Sequence, residues 1–122
     1  TPRKDYEMLH LMRDFLQWRR RDAILLAEAN VPPDESMEYF GENGERLQMM
    51  LNFAVNQRVF YALATGDIKP LVRALEATYN RPPAAQWVNF LRSHDELDLG
   101  RLTDTHARPL KGARFSLPAR EA

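Results

Sequence analysis

Apolar side chains recur at three- and four-residue steps through Met8, Leu11, Met12, Phe15, Leu16 and Trp18, with Glu7, Arg13, Asp14 and Arg19 falling between them. That spacing gathers one apolar stripe and predicts an amphipathic helix over about residues 6–18. Arg19, Arg20 and Arg21 close it, where positive charge suits the negative end of a helix dipole. The pattern then changes. Ala23-Ile24-Leu25-Leu26-Ala27 is a continuous apolar run, which predicts a strand buried on both faces, as in a parallel sheet. It passes into Glu28-Ala29-Asn30, and Pro32 and Pro33 stop it. Asp34 is expected to cap a short helix through Tyr39 and Phe40, and Gly41 and Gly44 mark a loop.

Residues 47–53 alternate loosely as a second strand, and a helix over 55–64 would carry Val55, Val59, Phe60 and Leu63 on one face. Gly66 stops that helix and Asp67 caps the next, with Pro70 in the first turn, where a missing N–H costs little. Ile68, Leu71, Val72 and Leu75 form its expected buried stripe. After a turn over 80–83, residues 87–91 read as a third strand, whose end carries Arg92-Ser93-His94-Asp95-Glu96.

Strands alternating with helices call for an α/β fold, with parallel strands joined by crossover helices. The rhythm dissolves near Thr103, so an ordered region over 1–104 and an irregular tail over 105–122 are expected. An open three-stranded parallel sheet leaves two unpaired edges, whereas a closed (β/α)8 TIM barrel takes roughly 250 residues. The chain is therefore either a small doubly wound sheet or about three-eighths of a barrel. The order of its polar residues favours the barrel segment.

Composition narrows the functions. The 122 residues hold 17 basic and 17 acidic side chains, for zero net charge, which argues against nucleic acid as a partner. A mean hydropathy of −0.53, with no apolar run of roughly 18 residues, argues against a membrane span. Cysteine is absent, which removes disulfides, thiol catalysis and cysteine zinc sites. His10 and His106 lie far from any acid pair at metal spacing. No glycine-rich phosphate cradle follows any strand. With no signal-peptide pattern, a cytoplasmic location is expected. The chain opens on Thr1 rather than Met, and a piece of something longer is expected.

Glu28 and Asp95 each follow an apolar run, at the carboxyl edge where parallel sheets and barrels build their sites. A carboxyl group half-buried there is suited to acid chemistry near neutral pH, and His94 adds a donor for a hydroxyl or an anion. Taken singly, a strand-end Glu is more often a loop hydrogen-bond acceptor than a catalyst, and Tyr39 and Phe40 are more often packing residues than an aromatic face for a sugar.

Taken together, Leu25-Leu26-Ala27-Glu28-Ala29-Asn30, Glu38-Tyr39-Phe40-Gly41 and Phe90-Leu91-Arg92-Ser93-His94-Asp95-Glu96-Leu97 resemble the α-amylase superfamily of glycosidases and transglycosidases, most nearly its trehalose synthase branch. In that branch the fifth barrel strand ends in an Ala-Glu-Ala-Asn-like motif and the seventh in Asn-His-Asp-Glu-Leu. The resemblance spans about residues 6–103 and implies strands five to seven of a (β/α)8 barrel. It implies retaining glucosyl transfer that interconverts maltose and trehalose, with Glu28 as acid/base and Asp95 as the acid that grips the glucosyl unit. His94, Glu96 and Asn30 would bind substrate. Another α-amylase-family hydrolase or glucosyltransferase is the alternative parent; a non-catalytic interaction module, self-associating through exposed barrel edges, is the alternative class. Calcium belongs to the complete enzymes of the family, but no ligand set for it is found here, so no cofactor is expected in this segment.

Two departures matter. Ser93 stands where the family has Asn. The nucleophilic aspartate, expected upstream of Glu28 with an arginine two residues before it, has no counterpart in residues 1–22; Asp14 and Asp22 lack that setting. A retaining mechanism needs that group, so this chain alone is expected to be inactive.

Overall fold

The computed structural model describes residues 6–95. Its elements run in the order α1 (Glu7–Arg19), β1 (Leu26–Ala27), α2 (Pro33–Phe40), β2 (Met49–Leu51), α3 (Phe53–Thr65), α4 (Lys69–Tyr79) and β3 (Gln86–Val88). The three strands form one parallel sheet in the order β1-β2-β3. Met50 on the central strand stands opposite Ala27 on one side and Trp87 on the other. The α/β reading and the parallel pairing hold.

The strands are shorter than their apolar runs, for identifiable reasons. Ahead of β1, the Gln48 side chain takes the place of a ladder: its Oε1 accepts from the Leu25 amide at 2.9 Å and its Nε2 donates to the Ala23 carbonyl at 3.2 Å. Ile24 and Leu26 are exposed, so the expectation that this run is buried on both faces fails. One face of β1 packs inward through Ala27, and the other is uncovered among the described residues. The second strand ends at Leu51 because Asn52 caps α3, its side chain accepting from the Val55 amide at 3.1 Å. Phe53, expected in the strand, therefore opens the helix. The third strand ends at Val88, where its carbonyl accepts from the Asn52 amide at 2.9 Å.

The core is small. Phe40, Met50 and Ala85 are fully buried, with Ala27, Ala29, Val31, Met37, Tyr39 and Trp87 packed around them. The Phe40 and Trp87 rings meet edge to face, their centroids 5.0 Å apart, a favoured aromatic geometry. Tyr39 meets the Tyr6 ring in the same manner. Tyr39 and Phe40 thus each pack against another aromatic ring.

At α2, Pro32 occupies the cap position and Pro33 the first turn, so Asp34 lies inside the helix rather than capping it. It still places negative charge at the favourable end of the dipole. Gly41 leaves α2 with φ at +81°, and a Cβ there would run into the Glu45 carboxylate. Gly66 ends α3 in the left-handed region at φ +74°. The cap of α4 is Ile68 rather than Asp67, which lies one residue earlier and accepts from the Lys69 amide at 3.0 Å; Pro70 sits in the first turn, as expected.

Burial on the helices departs from the expected stripes. On α4, Ile68, Val72 and Leu75 are exposed, while Ala74 and Thr78 are buried. The helix turns its small side chains toward its neighbours; of the larger apolar ones Leu71 is half-buried, and Val72 and Leu75 face outward. On α3, Leu63 is exposed, and Val55, Asn56 and Gln57 are buried. The stripe on α1 is largely uncovered among the described residues: Met8, Leu11, Met12, Phe15 and Trp18 are exposed, Leu16 is half-buried, and no side chain of that helix is fully buried. Arg13 ties α1 to the rest, donating to the Gly44 and Arg46 carbonyls at 3.1 and 3.2 Å. Among the described residues, no helix is long and apolar enough to cross a membrane.

Candidate functional site

Parallel strands deliver whatever follows them to one edge of the sheet. Glu28 directly follows β1, and the loop beyond β3 carries His94 and Asp95 back toward it. His94 Nδ1 lies 4.0 Å from Glu28 Oε1, and His94 Nε2 lies 3.5 Å from Asp95 Oδ1. All three groups offer an atom within 4.8 Å of the others. The imidazole thus stands between two carboxylates that are far apart in sequence.

The rim is open. Glu28 keeps 42% of its side chain exposed, Asp95 64% and His94 76%. Glu28 comes nearest to the half-buried setting expected of a strand-end acid, and Asp95 falls short of it. Ser93, where the resembled motif has Asn, accepts from the Asp95 amide at 3.3 Å through its hydroxyl. A short hydroxyl can therefore support the turn that presents Asp95. Glu96 lies outside the described residues. Asn30 sits beyond Glu28, its Oδ1 accepting from Gln57 Nε2 at 3.5 Å.

The cluster has metal-like spacing, but its donors do not match calcium. That ion takes roughly six to eight oxygen ligands, whereas two exposed carboxylates and one imidazole meet here. The other acids near the start of the chain are engaged locally: Asp14 pairs with His10 at 3.4 Å and Asp22 with Arg20 at 2.9 Å. Neither joins the group around Glu28.

A second concavity, an open cleft of about 630 Å³, lies among residues that precede β2 and β3, including Glu42, Glu45, Arg46 and Arg81. Its Glu45 carboxylate accepts from its own backbone amide and from that of Asn43, and these bonds hold its pKa below the usual glutamate value. Arg46 is paired with Glu38 at 3.6 Å. Among the described residues, this end of the sheet lacks the His-and-two-acids grouping of the other.

The residues that shape the site and escaped the sequence reading are amides. Asn52 Nδ2 donates to Asn89 Oδ1 at 2.9 Å, and Asn56 Nδ2 donates to the Phe90 and Leu91 carbonyls, each at 2.9 Å. The available signal was two asparagines four residues apart, directly after an apolar run, where they share one helix face.

Comparison with known proteins accords with the motifs. No family model matches the chain. It is 43% identical over 81 residues to a trehalose synthase of Thermus thermophilus, an alignment covering 66% of this chain and 8% of that protein. It is 36% identical over 107 residues to a trehalose synthase of Pimelobacter sp. (strain R48), covering 81% of this chain and 19% of the relative. A glucosylglycerate phosphorylase of Escherichia coli (strain K12) matches at 24% identity over 99 residues, covering 81% of this chain and 18% of that enzyme. The chain thus spans less than a fifth of the length of each of these curated relatives.

Proposed function

The chain is related in sequence to the trehalose synthases of the α-amylase superfamily, and from that premise we propose that it forms one part of a retaining α-glucosyl-transferring site. The parent reaction is the interconversion of maltose and trehalose. The observation that carries the reading is the meeting of Glu28, His94 and Asp95 within 4.8 Å, in a chain whose relatives are trehalose synthases.

In this reading β1, β2 and β3 are the fifth, sixth and seventh strands of a (β/α)8 barrel. Glu28 is the acid/base: it protonates the glycosidic oxygen as the bond breaks, then takes the proton from the incoming hydroxyl. Asp95 and His94 hold the hydroxyls of the glucosyl unit while positive charge develops on its ring, and Asn30 and Glu96 extend the contact to the substrate. A retaining pair places a nucleophilic carboxylate about 5 Å from the acid/base. Among the described residues, Glu28 has Asp95 and His94 beside it and no upstream carboxylate. The chain therefore binds α-glucosides such as maltose or trehalose but does not turn them over by itself.

The uncovered apolar side chains of α1 fit the same picture, because a barrel segment leaves faces that further barrel elements would cover. On its own the chain should associate with itself through them.

The test is an assay of the purified chain with maltose, trehalose and a nitrophenyl glucoside. No turnover is expected. Turnover that Glu28→Gln abolishes would show that the chain holds a complete catalytic set and would overturn this reading.

A further inference from the structure

We propose that Asn56 is a positioning residue: it sets the loop that carries His94 and Asp95 against Glu28. The proposal rests on reading those three groups as one site.

Asn56 is 4% exposed and stands on the first turn of α3, the helix that follows the central strand. Its amide nitrogen has two hydrogens to donate, and Nδ2 reaches two successive carbonyls, Phe90 and Leu91, at 2.9 Å each. Those residues link β3 to the His94–Asp95 turn. The loop has little else to fix it: Leu91, Arg92, His94 and Asp95 are exposed. Among the described residues, and apart from the His94–Glu28 approach itself, it is also held by the edge-to-face contact of Phe90 with Phe53 and the Asn52–Asn89 hydrogen bond one turn earlier. All of these ties come from the same helix start.

The neighbouring residue faces the other side of the site. Gln57 is buried and its Nε2 approaches Asn30 Oδ1 at 3.5 Å, on the loop that carries Glu28. The first turn of α3 therefore touches both loops, and Asn56 contributes its two shorter bonds to the one that holds His94 and Asp95. A buried side chain whose donors are both spent on loop backbone fixes where that loop runs. A packing role alone would be served as well by any side chain of the same size.

The experiment is nuclear Overhauser spectroscopy on the whole 122-residue chain without sugar. Cross-peaks between the His94 ring and the Glu28 side chain are expected in the native sequence; their absence there overturns the proposal. In Asn56→Asp, nearly isosteric but with an oxygen facing the two carbonyls, those cross-peaks should fall at least fivefold, by order of magnitude, once both hydrogen bonds are lost. The Phe40–Trp87 cross-peaks should stay unchanged. A folded variant that keeps the His94–Glu28 cross-peaks at full strength shows a merely structural residue and overturns the claim. If Asn56→Asp does not fold, Asn56→Ser, smaller and with one donor left, is read in the same way; if neither folds, the role is structural and the proposal fails. A separate titration of the native chain with maltose keeps the two ideas apart. Absence of shifts at Glu28, His94 and Asp95 sinks the functional reading and leaves the positioning claim standing.

Discussion

Two helices of the same length, 13 residues each, divide the molecule between them. Along α1 the sequence shows its cleanest apolar stripe, and five of its six side chains are exposed, only Leu16 being half-buried; Trp18 is 78% exposed. The first turn of α3 carries amides, and Asn56 and Gln57 are almost fully buried there. Position explains the inversion. Helix α3 leaves the central strand, so its start is enclosed by the loops of both neighbours, and polar groups at that place are tolerated because they find partners. Helix α1 precedes the edge strand and meets the rest mainly through Arg13 and Tyr6. Apolar periodicity thus reports which face of a helix needs covering, while burial reports what is present to cover it.

Substitutions can break that contrast. The largest effect belongs to the core under α2: Phe40→Ala should cost about 3–5 kcal/mol, enough to unfold a small domain, whereas Phe15→Ala on α1 should stay within about 0.5 kcal/mol. Urea titrations of the two variants measure the difference, and equal losses would mean that α1 is buried after all. Next comes Asn52→Ala, which removes the α3 cap and leaves Asn89 without its amide partner. A loss of about 1–3 kcal/mol is expected in the same titration. Gly66→Ala should cost about 1 kcal/mol through the positive φ alone, since a Cβ there meets nothing within 4 Å.

Two smaller effects sharpen the picture. Replacing Met8, Phe15 and Trp18 together by Gln should leave the urea midpoint nearly unchanged and lower the concentration-dependent light scattering. Unaltered scattering would place self-association elsewhere. The last concerns pH. The folded-state pKa of Glu45 is depressed, first by its own backbone amide and then by that of Asn43. Its contribution to stability is therefore complete above the ordinary glutamate pKa of about 4.3 and fades as pH falls through the lower folded value. Native chain and Glu45→Gln, compared by thermal melts, should differ most near neutrality and converge in acid.

Much of this fold was legible because its signals are local. Gly66, Asp67 and Pro70 act within one turn of themselves, and the alternation of apolar runs with amphipathic stretches gave the parallel sheet. Strand lengths were not legible, because they depend on side chains brought from elsewhere: Gln48 standing in for a ladder beside Leu25, and Asn52 ending β2. At the candidate site, Glu28 was legible because an acid directly after an apolar run stands at the carboxyl edge of a parallel sheet, whereas Asp95, seven residues beyond Val88, reaches that edge with His94 only through the loop after β3. Asn56 was not legible, since its role lies in contacts with residues 34 and 35 positions away, and a buried amide inside a helix looks unremarkable in sequence. The exposure of the rim was hidden for a similar reason: burial of a strand-end acid comes from neighbouring loops, which its own motif does not describe.

The central claim is that Glu28, His94 and Asp95 together take an α-glucoside. The most direct measurement is residue-resolved NMR of the chain as maltose is added, with glycerol as a control for bulk effects. The account predicts saturable shifts confined to Glu28, Asn30 and the loop ending in His94 and Asp95. Shifts that gather instead in the cleft around Glu42, Glu45 and Arg81, or that match those caused by glycerol, would contradict it.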